Sequence, residues 1–493
     1  MQIKLQTICM NVKAISTNIG KALLINALFM FIAIVVSVIN DFDSAFTPLV
    51  ISFLVTLITG FFPFIFVKEK PSTSLQSGFL TIVLSWLLSF IFGMLPYVLW
   101  GGEFTLMNAW FESVSGYTTT GSTILTDIES LPQSLLFWRS STHFIGGLGV
   151  IVFLLFLLPD SSPFKLKLTH LELSSLSKEG YRYKSGTTAR VMIAVYAGLT
   201  LLETLCLLAA GMSLFDAINH AFSTVATGGF STKNSSIMHF NSPAIDIIIT
   251  IFMILSSMHF GVLFAICFKR TLKPLMQSVT RYYLLVIAAF SVIIAISLKA
   301  QAGYDSWGRS MLDAVFQTAS FISTTGFGQA DNSSWPLIAN AILLFAAFHC
   351  GCAGSTTGGI KADRMYISLK AIHGDFQKRL HPNSLFRTKI GGRIIDEETV
   401  SSVFLYIVLY FFVLFISFVA VLICGLDISS AFSGTLASLG NVGPGIGALG
   451  TMGNYSAIPE VAKFIFTIDM FLGRVEIFPI LIALSMIGKR KSL

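Results

Sequence analysis

Four short polar strips in this chain share a spacing that suits cation chemistry. They are Thr118-Thr119-Thr120-Gly121, Ala226-Thr227-Gly228-Gly229, Ser323-Thr324-Thr325-Gly326 and Gly440-Asn441-Val442-Gly443. Each final glycine follows a capping-type residue at one constant offset: 121 against Asn108, 229 against Asp216, 326 against Asp313 and 443 against Ser430. An extended strip ending in Gly can turn successive carbonyls the same way, because Gly accepts φ values that other residues resist. Four such strips around one axis make a ring of carbonyl oxygens able to replace the water around a dehydrated cation. The expected ion contacts are Thr119, Thr120 and Gly121; Thr227, Gly228 and Gly229; Thr324, Thr325 and Gly326; and Asn441, Val442 and Gly443. One strip alone would read as small residues letting membrane helices pack closely. Four at one offset point to a ring.

Such a ring needs elements that hold it. Before each strip lies a segment too short to span a membrane and too apolar for an ordinary loop: 108–115, 216–223, 313–320 and 430–437. Each opens with a capping-type residue followed by Ala, and Ser213/Asp216 and Ser310/Asp313 have the pattern of a capping box. Four short helices are expected, their partially negative C-terminal ends aimed at one point. Backbone without regular pairing is tolerated at membrane depth only where it lines a cavity or is buried in protein.

Composition agrees. The chain has 493 residues, 54% hydrophobic and 12% charged, with net charge +7. Soluble domains carry about 25% charged residues, so a water-soluble enzyme is excluded. Ten apolar runs lie near 22–39, 45–67, 79–100, 135–158, 192–210, 244–268, 283–298, 336–348, 402–424 and 461–487. The first is too long for the apolar core of a cleaved signal. Basic residues follow every second run: Lys68 and Lys70, Lys165 to Arg190, Lys269 to Lys273, Lys361 to Arg393, and Lys489 to Lys491. Both termini are therefore expected in the cytoplasm. The intervening loops carry Glu103, Asp127, Glu129, Asp305, Asp331 and Asp427, which raise the local cation concentration. The expected fold is an all-α polytopic membrane protein. It comprises an N-terminal hairpin (1–70) and four repeats of span, short helix, filter loop and span (71–185, 186–275, 276–395, 396–493).

Two features suggest gates below the ring. The second span of the third repeat is short and gives way to a polar stretch at 351–359; Gly354, Ser355, Thr356, Thr357 and Gly358 are expected to obstruct the pore as an intramembrane loop. Arg474 lies mid-way along the last run, where a cation costs roughly 3 kcal/mol or more unless it meets water or a partner. It is expected to act as an electrostatic barrier. Glu476 diverges from it on a helix. For Glu203, Asp246, Lys463 and Asp469, pairing between helices is as apt as function.

Other chemistry finds little support. The six cysteines are scattered and form no disulfide framework. His349-Cys350-Gly351-Cys352 is a weak soft-metal signal, and Gly443 to Gly447 lacks the βαβ setting of a nucleotide loop. No nucleophile elbow is present, so no catalytic residue and no cofactor are expected. The basic stretch from Lys361 to Arg393 is too broken by apolar residues for nucleic acid, and suits anionic lipid or a cytoplasmic partner.

Beyond the four strips, several segments carry a family resemblance: Trp138-Arg139 leading to Ile145 through Ile151, Ser223 through Ser231, Cys352 through Lys361, Asn441 through Gly447, and Gly473 through Pro479. In these the chain resembles the potassium transporters typified by TrkH and KtrB, and the extra N-terminal hairpin points to the TrkH type. His349-Cys350 departs from the small residues usual there. The resemblance implies potassium uptake across a bacterial inner membrane, gating by the loop and Arg474, a homodimer, and a cytoplasmic regulatory subunit of the TrkA type that binds nucleotide. One glycine per strip implies moderate discrimination, with Rb⁺ passing and Na⁺ passing less well. The alternative is the potassium-conducting subunit of a P-type pump, which shares the fourfold plan.

Overall fold

A computed structural model describes residues 12–67, 75–156, 185–381 and 387–489. The basic residues Lys68, Lys70, Lys165 and Lys167, and the tail beyond Lys489, lie outside the described residues.

Helices α1 (Val12–Ile39) and α2 (Phe46–Phe66) form the N-terminal hairpin. The face of α1 turned inward carries small residues, Ala22, Ala27, Ala33 and Ser37, which allow close approach of neighbouring helices. The other faces expose Leu28, Phe31 and Val35, as lipid contact requires. Asn26 donates to Ser89 Oγ at 3.1 Å, which pins the hairpin to the third long helix.

A long helix, a short helix, a strip and a second long element then recur four times. First come α3 (Leu75–Gly93), α4 (Leu95–Trp100), the short α5 (Leu106–Tyr117) and α6 (Gln133–Phe156). Next are α7 (Ser185–Ala209), the short α8 (Leu214–Val225), α9 (Pro243–Ser256) and α10 (Phe260–Lys269). The third set is α11 (Ser278–Gln301), α12 (Trp307–Ile322), α13 (Leu337–His349) and α14 (Ala362–Leu380), followed by a two-stranded hairpin, β1 (Lys389–Ile390) with β2 (Arg393–Ile394). The last is α15 (Glu397–Ile423), α16 (Ile428–Gly440), α17 (Glu460–Val475) and α18 (Ile477–Lys489). Among the described residues, six helices are long and apolar enough to cross a membrane, or seven if the bent pair α9–α10 is one span.

Three expectations need correction. The sixth apolar run is not a straight span: α9 and α10 meet at 109° across Ser257–His259. The tenth run breaks at Glu476, whose φ of 65° no helix allows. Interrupted second spans are thus a feature of three repeats, not of the third alone. Finally, the short helices start earlier than expected. Their caps are Thr105, Ser213, Ser306 and Asp427, each accepting from a backbone N–H three residues on. Asn108, Asp216 and Ser430 are the residues whose N–H groups are capped, not the caps, and Asp313 lies a turn deeper. Ser213 caps as expected and also donates to the Asp216 carboxylate at 2.8 Å. Ser310 does not cap; its hydroxyl donates to Ala295 O. At the exposed outer end of α16, the N–H and hydroxyl of Ser430 hold the Asp427 carboxyl below the usual carboxylate range.

Two large apolar clusters clamp these short helices. One joins the hairpin with the first and fourth sets through Met30, Phe111, Trp138 and Phe466. The other joins the third and fourth through Tyr283, Phe321 and Tyr410.

Candidate functional site

The four short helices end in the same way. The N–H groups of Thr120, Gly228, Thr325 and Val442 bond back five residues, to the carbonyls of Ser115, Ser223, Ser320 and Ala437, at 2.8 to 3.0 Å. Thr119, Thr227, Thr324 and Asn441 bond back three, to Gly116, Thr224, Phe321 and Ser438. This pair of bonds is the Schellman termination, which demands a left-handed residue just past the helix. That residue has φ of 51°, 56°, 56° and 54°, and in three cases it is Thr. A β-branched residue there costs roughly 1–2 kcal/mol. Strain of this kind persists only where the surroundings over-determine it, and it clusters at functional sites.

Two residues further, Gly121, Gly229, Gly326 and Gly443 also have positive φ, from 79° to 96°. A Cβ added to Gly121 would overlap the carbonyl oxygen of Gly228; one on Gly229, that of Thr325; one on Gly326, that of Val442; and one on Gly443, that of Thr120. Each strip therefore packs on the next and the fourth packs on the first. The order is cyclic and closed, with all twelve expected residues brought to one ring. Thr119, Thr120, Thr227, Thr325, Asn441 and Val442 are fully buried. Among the described residues no protein donor reaches the carbonyl oxygens of Thr120, Gly228, Thr325 or Val442. Buried carbonyls without a partner are rare and call for water or an ion.

The polar stretch after α13 lies beneath this ring. The Gly358 N–H donates to Thr324 Oγ1 at 3.4 Å, and a Cβ on Gly358 would meet the Asn441 side chain and Gly440 O. Thr356 Oγ1 donates to Val225 O at 3.1 Å. Ser355 and Thr357 share a hydroxyl contact at 2.8 Å. The break between α9 and α10 holds the loop from the side: Cys352 N donates to Ser257 O at 2.8 Å, and Phe260 N to Gly354 O at 3.1 Å. Arg474, at the end of α17, donates to Thr356 O and, at 2.9 Å, to Gly146 O on α6. Its charge thus meets two carbonyls from two other repeats rather than an acid. Glu476, freed from the helix by the break, accepts from Lys361 at 3.0 Å and Arg364 at 2.8 Å, where the loop runs into α14.

A family model described as a cation transport protein, TrkH, matches residues 49–492. The chain belongs to the TrkH family. It is 36% identical over 380 residues to the Trk system potassium uptake proteins TrkH of Salmonella typhimurium and Escherichia coli K12, covering 77% of this chain and 78% of each relative. The crystal structure of the potassium transporter TrkH from Vibrio parahaemolyticus superposes with a TM-score of 0.87 at 30% identity, covering 96% of this chain and 98% of that one.

On this TrkH-family frame, residues beyond the expected set emerge. Glu112, deep in α5, accepts from Arg139 Nε at 2.5 Å and from Ile124 N at 3.1 Å. Arg139 also donates to Ser231 O, just beyond the second strip, at 3.0 Å. The first strip's outgoing limb is thereby tied to its own helix and to the second strip. At the same place in α8 and α12 stand His220, bonded to Ser231 Oγ at 2.9 Å, and Gln317, bonded to Ala330 O at 3.2 Å. The shared offset of Glu112, His220 and Gln317 from the expected capping positions was a readable signal. Of the other buried ionisable residues, Lys463 donates to Asn108 at 2.9 Å, and Asp469 accepts from Ser417 at 2.6 Å. Gln329 bridges Asp246 and Asp313 at 2.8 and 3.0 Å. Glu203 is fully buried, with the Thr224 side chain beside it. His349 contacts Tyr282, and Cys350 Sγ donates to Ala347 O, so the two side chains are used in packing.

Proposed function

We propose that this chain carries potassium ions across a membrane, selecting them at the ring of Thr119–Gly121, Thr227–Gly229, Thr324–Gly326 and Asn441–Gly443. The observation that carries the reading is the closed ring of the Thr120, Gly228, Thr325 and Val442 carbonyls, which no protein donor reaches among the described residues. Membership of the TrkH family, whose relatives are named potassium uptake proteins, supports potassium as the ion over a pump-subunit role. Oxygen ligands from peptide groups suit a weakly hydrated monovalent cation. One ordered glycine per strip gives fewer layers of ligands than a TVGYG loop, so discrimination against Na⁺ is moderate.

In the same reading the loop Gly354–Gly358 obstructs the path below the ring, and Arg474 both fixes that loop and repels cations. The four repeats and the hairpin divide at about residues 70, 185, 275 and 395. The chain sits in a bacterial inner membrane with both termini cytoplasmic and works as a homodimer. A cytoplasmic nucleotide-binding subunit of the TrkA type moves the gate, since no nucleotide-binding fold stands among the described residues.

Flux of radioactive rubidium into liposomes containing the purified protein tests the proposal. Competition by external K⁺ should exceed competition by Na⁺ at equal concentration. Equal competition, or no flux once the loop is removed, would overturn it.

A further inference from the structure

The second strip is built differently from the others. Immediately before the final glycine, strips one, three and four carry Thr120, Thr325 and Val442, all β-branched and buried, whereas strip two carries Gly228. Strips one and three also hold themselves through hydroxyl pairs, Thr118 with Thr120 at 2.8 Å and Ser323 with Thr325 at 2.7 Å. Strip four is held by Asn441, which donates to Thr120 Oγ1 at 3.0 Å and Met470 O at 2.8 Å. Strip two has Ala226 and Gly228 at the paired positions, and neither can make such a bond.

The space beside Gly228 is filled from another repeat. A Cβ built there would overlap His143 Nδ1 and lie 2.5 and 2.7 Å from His143 Cγ and Cε1. This imidazole, on α6, is fully buried. It contacts Ser223 Oγ at 3.2 Å and stacks on Phe230, which directly follows the filter glycine, with ring centres 4.1 Å apart and planes at 18°. Arg139, one turn earlier, also lies over Phe230, 3.7 Å from its centre.

We propose that His143 is a specificity-determining positioning residue whose ring replaces the side chain missing from strip two. Two adjacent glycines have the widest backbone freedom available. The ring blocks that freedom from one side and keeps the Gly228 carbonyl against Gly121, the contact that closes the ring between strips one and two. Ligand geometry at such a site must hold within about 0.5 Å. This role for His143 rests on the ring being the ion filter.

The test measures rubidium uptake by liposomes under K⁺ and Na⁺ competition, with the thermal midpoint and size-exclusion profile of each variant. His143→Ala is expected to conduct but to lose about tenfold in preference for K⁺ over Na⁺, as expected for a small misplacement in a preorganised site. His143→Gln, which keeps a planar group in the gap, should retain most of the preference. Gly228→Ala should impair flux alone and recover in the double variant with His143→Ala, because the added methyl enters vacated space. A folded His143→Ala protein with full preference overturns the proposal, as do effects of Gly228→Ala and His143→Ala that simply add. If the single alanine variant does not fold, His143→Gln and the Gly228→Ala pair decide. Gly326→Ala distinguishes failure of the filter from failure of the His143 role. If it leaves ion preference intact, the filter reading fails; if it changes preference while His143→Ala does not, only the role of His143 is lost.

Discussion

The guanidinium of Arg474 donates to the peptide carbonyl of Thr356, so a residue of the last repeat fixes the loop of the third. The fixed cation and the loop beneath the ring are therefore one hydrogen-bonded unit, and under the proposed function one latch rather than two independent barriers. A second bond, to Gly146 O, ties the latch to the first repeat.

Arg474→Ala removes the charge and both bonds together. A unit charge several ångströms from the ion path is worth about 2–4 kcal/mol at an effective dielectric near 20. Rubidium flux should rise by at least about tenfold, the factor that corresponds to 1.4 kcal/mol. Arg474→Lys keeps the charge but cannot reach two carbonyls with one fork, so it should raise flux less. Unchanged flux in a folded Arg474→Ala protein would show that the latch lies off the path.

Deleting residues 353–358 should raise basal flux without altering the order of ion preference, since the ring above is carried by other segments. The comparison is unliganded uptake by the two proteins at equal incorporation. Equal basal rates would assign the loop a connecting role only.

Glu476 is the shared partner of Lys361 and Arg364, and all three are at most about one-eighth exposed. Removing one member of a buried ionic cluster costs about 3–5 kcal/mol, because the remaining charges lose their buried counter-ion. Glu476→Gln should therefore lower the thermal midpoint by roughly 3–5 °C. Lys361→Met should offset part of that loss in the double variant, by removing one of the two charges that Glu476 neutralises. A midpoint unchanged within about 2 °C would mean that water reaches the cluster.

Thr324 holds φ of 56°. In Thr324→Gly the relief of roughly 1–2 kcal/mol of strain is largely offset by the greater chain entropy of glycine in the unfolded state. Stability should change little while selectivity falls, since the strip's carbonyls are no longer held in one direction. A loss of stability with unchanged ion preference would reverse this assignment of the strained threonines.

The strips are legible because they depend on local backbone chemistry: glycine where φ is positive, at one constant offset from a polar residue on the helix before it. A polar residue whose N–H is capped looks, in sequence, like a residue that caps, so the sequence points to Asn108 and Ser430 where Thr105 and Asp427 do the capping. Thr105, Ser306 and Asp427 are told apart from Asn108, Asp313 and Ser430 only by backbone conformation. The breaks at Ser257–His259 and Glu476 are hard to see in hydropathy, because the long apolar segments on either side outweigh the few polar residues at the breaks in any window average. On a continuous helix Glu476 would diverge from Arg474; the break sends it to Lys361 and Arg364 instead.

Membrane insertion, the fourfold plan and the identity of the ring-forming residues were thus determined by the sequence alone, since composition, periodicity and glycine placement act over tens of residues at most. The cyclic order of the strips, the carbonyls that Arg474 caps and the ring of His143 beside Gly228 were decided only in three dimensions. These contacts join segments roughly 80 to 330 residues apart, and which segments meet depends on how four bent repeats close around one axis.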